Sequence, residues 1–170
     1  MKKIIFLDID GVLATDKEFM TNRTNFRKKY PEMNELKVPY PWNKGAVEVL
    51  NEILDVTDAE IVLSSDWKLH WDIDDLKKIF EWNGVKKRPI AVTNNEYTSI
   101  SNLTMNRAAE IGDYVRDNDL KNYVVIDDLN VGKYMGLTGD DDKFFMTISS
   151  EGIKKTGLKD RIIKKLNNDH

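Results

Sequence analysis

The chain of 170 residues carries 26 Lys and Arg against 29 Asp and Glu, a formal charge of −3, with 41% hydrophobic residues and no cysteine. The missing thiol excludes a disulfide scaffold, a thiolate zinc site, an iron–sulfur cluster and a cysteine nucleophile. Near-balanced charge excludes a global polycation but is compatible with a local basic patch.

The length suits one domain around one hydrophobic core. The opening run Ile4-Ile5-Phe6-Leu7 is stopped by Asp8, too short for the apolar core of a signal peptide, about 7–15 residues. No stretch approaches the roughly 18 apolar residues of a membrane span. A soluble, cytoplasmic protein without membrane association is expected.

In chain order, Lys3–Leu7 is a β-branched and aromatic run that predicts a strand buried on both faces. Lys17–Pro41 departs from any regular period, mixing Asn, Lys, Arg, Glu and Tyr before Val38-Pro39-Tyr40-Pro41-Trp42, where two prolines favour extended backbone. It reads as a small insertion or flap at about residues 14–42. Ala46–Val56 predicts a helix with Val47, Leu50, Ile53 and Leu54 on one stripe, followed by a strand at Glu60–Ser64 and a helix at Ile73–Trp82. Pro89–Thr93 is a third strand, Arg107–Val115 a helix, Tyr123–Asp127 a fourth strand, Phe144–Thr147 a fifth and Leu158–Leu166 a closing helix. Asp140-Asp141-Asp142 reads as a solvated turn.

Strands alternating with helices predict an α/β architecture, a five-stranded parallel sheet sandwiched by helices. We expect Lys3–Leu7 at its centre, with Glu60–Ser64 then Pro89–Thr93 on one side and Tyr123–Asp127 then Phe144–Thr147 on the other.

Three of these strands run into chemistry. Asp8 and Asp10 follow the first at a spacing of two, which aims both to one side while the chain stays extended, and Gly11 then permits a sharp departure. Ser64 and Ser65 end the second, where hydroxyls suit either a phosphate or the capping of the next helix. Asp127 and Asp128 end the fourth; neighbours face opposite ways in a strand, so both reach one site only if the strand stops at this pair. All three clusters fall at carboxyl ends of predicted parallel strands, where open α/β sheets bind ligands. Four converging carboxylates repel unless a divalent cation is present, and an oxygen-only donor set favours Mg²⁺.

The sequence resembles the haloacid dehalogenase (HAD) superfamily of phosphohydrolases, with Asp8-Ile9-Asp10-Gly11-Val12-Leu13 as its first motif, the strand ending at Ser64 as its second, Arg107 as its third and Asp127-Asp128 as its fourth. Ile61–Trp67 followed by Lys68, Arg107-Ala108-Ala109-Glu110-Ile111, and Gly157-Leu158 further resemble the phosphatase domains of polynucleotide kinase-phosphatases and the Swiss Army Knife RNA-repair group. The resemblance implies a Rossmann-like HAD fold with Asp8 as nucleophile, forming an aspartyl phosphate, and Asp10 as general acid and base. It implies Mg²⁺ held by Asp8, the Asp10 carbonyl and one or both of Asp127 and Asp128, with Ser64 on the phosphate and Arg107 offsetting charge. An acid at residue 10 favours hydrolysis over storage of a phosphoryl group. Where repair-type relatives place a basic residue shortly after the hydroxyl, this chain has Asp66, with Lys68 as the substitute.

Other residues admit two readings. Arg107 alone is a solvated cation on the first turn of an amphipathic helix; its place before Asp127 and the other motifs support the functional role. Ser65, Lys68, Trp42, Trp67 and Trp71 flank the expected crevice, where they would bind substrate and the indoles would stack on bases, whereas the plain alternative is core packing. Phe80 and Trp82 are expected in the core, and His70 and His170 on the surface. Lys17, Arg23, Arg27, Lys28 and Lys29 suit phosphates or a solvated mixed-charge loop. Little beyond Lys17–Trp42 remains for a cap, so a small or absent cap and an open site are expected. The expected activity is phosphomonoester hydrolysis on a nucleotide or a polynucleotide 3′- or 5′-phosphate end. The alternatives are a small-metabolite or protein phosphatase of the same superfamily, or a low-turnover phosphate-binding regulatory module. No obligate protein partner is implied.

Overall fold

A computed structural model of the chain describes residues 2–96, 102–137 and 143–168. The Asp140–Asp142 turn and His170 lie outside the described residues. The strands are β1 (Lys3–Leu7), β2 (Glu60–Leu63), β3 (Pro89–Val92), β4 (Asn122–Asp127) and β5 (Phe144–Met146), and they form one parallel sheet in the order β3-β2-β1-β4-β5. This is the predicted order, with β1 central. Helices are α1 (Asp16–Phe19), α2 (Arg23–Lys29), α3 (Lys44–Thr57), α4 (Ile73–Trp82), α5 (Leu103–Asp117), α6 (Gly132–Met135) and α7 (Leu158–Asn168).

The period-two alternation of a strand divides the apolar residues between two cores. Ile5 and Leu7 face one side with Ile61, Leu63, Val124 and Ile126, covered by α3, α4 and α7. Ile4 and Phe6 face the other with Val62, Tyr123 and Val125, covered by α5 and by Val131 before α6. Unbroken apolar strands are the consequence of this double burial.

Local chemistry moved several boundaries. The Asn43 side chain accepts from Ala46 N at 3.1 Å, starting α3 at Lys44, ahead of the predicted start. Asn102 accepts from Met105 N at 3.1 Å and starts α5 at Leu103, so Arg107 stands on the second turn and not the first. The insertion is packed, and about half of it is helical. Met33, Val38 and Trp42 join the main core, and Phe26 meets Tyr30 and Trp82. Among the described residues no helix is long and apolar enough to cross a membrane.

Candidate active site

The register of the sheet sets the carboxyl ends of three strands level, because Leu7 pairs with both Leu63 and Ile126. The ladder then continues one residue past the strands: Ser64 N donates to Leu7 O at 2.9 Å, Asp8 N to Ile126 O at 3.1 Å and Thr93 N to Leu63 O at 3.0 Å. Thr93, Ser64, Asp8 and Asp127 therefore stand side by side along the central edge of the sheet. Asp127 is the last residue of β4, so the chain turns at Asp128 and both acids reach one place. Carboxylate oxygens of Asp8, Asp127 and Asp128 all lie within 4.8 Å of one another.

Gly11 makes that approach sterically possible. Its φ of +76° lies in the left-handed region, and a Cβ there would come within 2.3 Å of Asp128 Oδ2. The turn is closed by Leu13 N and Ala14 N, which donate to Ile9 O at 2.8 and 3.0 Å.

The Asp10 carboxylate is oriented separately from the three-acid group. Tyr40 OH donates to its Oδ1 at 2.7 Å and Trp67 Nε1 to its Oδ2 at 3.1 Å, so the insertion and the turn after β2 each fix one oxygen. Tyr40 lies between two prolines, and nothing in that stretch of sequence signals its contact with Asp10.

Arg107 is buried rather than solvated, with 6% of its surface exposed. Its Nη1 donates to Asp8 Oδ2 at 2.8 Å and to both Asp127 oxygens at 3.1 Å, while Nη2 donates to Asp66 Oδ1 at 2.9 Å. Asp66, the apparent departure from the repair-type pattern, is thus an anchor for the guanidinium. Lys68 is directed elsewhere: its Nζ donates to Thr93 Oγ1 at 2.8 Å and Asn94 O at 2.7 Å and pairs with Glu110. Three acceptors use all three donors of an ammonium, so Lys68 cross-links β3 to α5 and leaves no donor for a phosphate.

The serines divide. The Ser65 hydroxyl lies close enough to the Asp8 carboxylate to favour its charged form, whereas Ser64 Oγ is buried without a partner among the described residues. The tryptophans correct an expectation. Trp42 and Trp67 are each 3% exposed, and the Trp42 ring meets Phe80 edge-on at 4.8 Å, so neither offers a face to a base. Trp71 is half-buried, tilted on Trp67, and donates from Nε1 to Leu36 O at 2.6 Å. His70 is exposed and Phe80 buried as expected, while half-buried Trp82 packs under the insertion against Tyr30.

Burial dominates the electrostatics. It pushes the Asp8 carboxyl well above the usual range, aided by the neighbouring Asp127 and opposed by Arg107, Ser65 and the Ile9 N–H. Asp127 is pushed up to about 6 by burial, against Arg107 and the Leu129 N–H. Asp128 is also raised by burial. Burial opposes the Arg107 charge too, but Asp8, Asp127 and Asp66 outweigh it and hold the guanidinium firmly ionised. Three carboxylates, Asp8, Asp127 and Asp66, share one guanidinium.

A parallel sheet with this strand order, carrying Asp-Ile-Asp-Gly after its central strand, a buried arginine from the helix before β4 and paired aspartates after β4, defines a HAD domain. Residues 4–158 match the family described as the HAD domain in Swiss Army Knife RNA repair proteins, and the chain belongs to that family. Membership implies a phosphatase-type hydrolase. Comparison with curated proteins and with solved structures gave no significant match.

Proposed function

We propose that the chain is a Mg²⁺-dependent phosphomonoesterase acting on a nucleotide or a polynucleotide phosphate end through an aspartyl-phosphate intermediate. The observation that carries this reading is the meeting of Asp8, Asp127 and Asp128 oxygens within 4.8 Å beside the Arg107 guanidinium. The donors are all hard oxygens and their charge exceeds what one guanidinium offsets, which fits a divalent cation. Asp8, Asp127 and Asp128 would hold it, with the Asp10 carbonyl. Such an ion supplies charge neutralisation to a carboxylate approaching a phosphate dianion.

The chain's own groups divide the remaining work. An Asp8 oxygen attacks phosphorus as the bond to the leaving oxygen breaks, and Asp10, oriented by Tyr40 and Trp67, protonates that oxygen. Asp10 then takes a proton from the water that attacks the acyl phosphate, restoring Asp8. Arg107 balances charge on nucleophile and phosphate, and the buried Ser64 hydroxyl supplies a donor to a phosphate oxygen.

Turnover of an aryl phosphate in Mg²⁺, lost in chelator, is the first expected result. A panel of nucleotides, 3′- and 5′-phosphorylated oligonucleotides, sugar phosphates and phosphopeptides should then rank nucleotide or oligonucleotide ends highest by kcat/KM. Hydrolysis that persists in chelator, or a preference for sugar phosphates or phosphopeptides, overturns the reading.

Stability gives an independent check. Because folding raises the Asp127 carboxyl to about 6, the folded chain holds a proton that the unfolded chain has lost between about pH 4 and 6. The more favourable state is present below about pH 4, and stability from this group falls as pH rises through 6, by roughly 3 kcal/mol at most. Millimolar Mg²⁺ should therefore raise the thermal midpoint at neutral pH and have less effect near pH 4, where Asp127 holds its proton. Equal shifts at both pH values would remove the acid cluster from metal binding.

A further inference from the structure

Lys17, Arg23, Arg27, Lys28, Lys29 and Lys37 of the insertion are all exposed, and none pairs with a carboxylate among the described residues. Several cations elsewhere on the surface are partnered: Lys77 with Asp74, Lys78 with Asp75, Lys86 with Asp55, Arg88 with Glu81 and Lys159 with Glu52. Residues 17–37 hold six cations and three glutamates, a formal +3 within a chain of −3. Two of those glutamates have local tasks, Glu18 accepting from Thr15 and Asn43, and Glu32 from Trp82 Nε1. Thr24, Arg27, Lys28, Pro31, Asn34 and Lys37 line an open groove of about 630 Å³ with no acid among them.

This basic surface reaches the catalytic edge through aromatic residues. Phe19 is 39% exposed and packs edge-on against Tyr40, with ring centroids 5.4 Å apart, and Tyr40 is the residue whose hydroxyl holds Asp10. Arg23 lies close enough for its charge to act on the Tyr40 hydroxyl. An exposed ring beside a nucleophilic site, continued by unpaired cations, is the pattern by which proteins hold single strands: the ring stacks on a base and the cations follow the backbone.

We propose that the insertion is a guide for single-stranded nucleic acid, in which Phe19 stacks on the base adjoining the terminal phosphate and Arg23, Arg27, Lys28 and Lys37 hold the backbone phosphates that follow. The placement of the terminal phosphate rests on the phosphatase reading above; the strand-binding surface does not. The exposed ring favours bases over an inorganic polyanion, which has nothing to stack. A single strand is favoured over a duplex because a paired base has its faces covered.

The test uses the full chain and a fluorescein-labelled RNA of twelve nucleotides with hydroxyls at both free ends, read by anisotropy across a salt series. With four backbone contacts, log Kd should change with log salt at a slope of about 3 in magnitude. The triple variant R27Q/K28Q/K37N, in which Asn suits the left-handed backbone of residue 37, should bind at least about tenfold more weakly and lose about 2 from the slope. Phe19→Ala should weaken binding by about 5- to 160-fold and leave the slope unchanged. Thermal unfolding checks that each variant folds, and K154Q/K155Q/K164Q, removing three exposed cations outside the insertion, serves as control.

A wild-type slope near zero, wild-type affinity in either insertion variant, an equal loss in the control, or complete competition by inorganic polyphosphate with no effect of Phe19→Ala overturns the guide. The probe carries no phosphate monoester, so a chain that hydrolyses nothing still reports strand binding. Failure of the phosphatase reading, seen as no aryl phosphate turnover, is thereby distinct from failure of the guide.

Discussion

Asp8→Asn is expected to reduce aryl phosphate turnover by at least about 10⁴-fold while the chain stays folded. The amide keeps the shape of the carboxyl but has no charged oxygen to attack phosphorus. Asp8 is 3% exposed, its carboxylate accepts from Ile9 N at 2.8 Å and Arg107 Nη1 at 2.8 Å, and it sits beside Asp127, which raises its pKa. Neutralising it removes a repulsion, so the thermal midpoint should hold or rise in metal-free buffer. Asp10→Asn should slow turnover by about 10²–10⁴-fold through loss of acid and base catalysis. The Tyr40 and Trp67 donors would still find one acceptor on the amide, so folding should be little changed. Turnover within tenfold of wild type in pure Asp8→Asn removes Asp8 from the nucleophile's role, and the same result in Asp10→Asn removes the proton transfers assigned to it.

The central strands were legible because a doubly covered strand must be apolar along its buried length, a pattern that Ile4–Leu7 and Tyr123–Ile126 satisfy. The candidate acids were legible because a carboxylate directly after such a run has only the sheet edge to occupy. Contacts made across the fold were not legible. Tyr40 reaches Asp10 across 30 positions, and Asp66 reaches Arg107 across 41, with nothing local to either residue recording its partner. Asp66 looked like a departure from a pattern because its partner lay on α5.

The tryptophans failed for a related reason. Closeness in sequence to Ser64 and Ser65 placed Trp67 near the crevice, but the turn at Asp66–Leu69 carries its ring into the core and only its Nε1 reaches the site. Phe19 carried no such motif nearby, and its exposure depends on how α1 packs on Tyr40.

Arg107→Met is expected to be the most damaging single change to stability and to cost most of the activity as well. The methionine fills much of the space but leaves Asp8 and Asp127, 3% and 1% exposed, without the guanidinium that lowers the pKa of each. Breaking a buried pair from one side costs about 3–5 kcal/mol, because the remaining charge has neither water nor a partner. Protonation relieves that cost, so both carboxyls should rise further in the variant and the deficit should shrink as pH falls from about 7 toward 5. Arg107→Lys tests geometry against charge. An ammonium is a point charge on a single-tipped stem and cannot repeat the fork that spans Asp8, Asp127 and Asp66, so it should recover part of the stability and less of the activity. Thermal unfolding across pH, with turnover measured on the same preparations, separates these contributions. A methionine variant that unfolds at the wild-type temperature throughout, with a deficit no larger at pH 7 than at pH 5, would show that Arg107 does not balance the carboxylates.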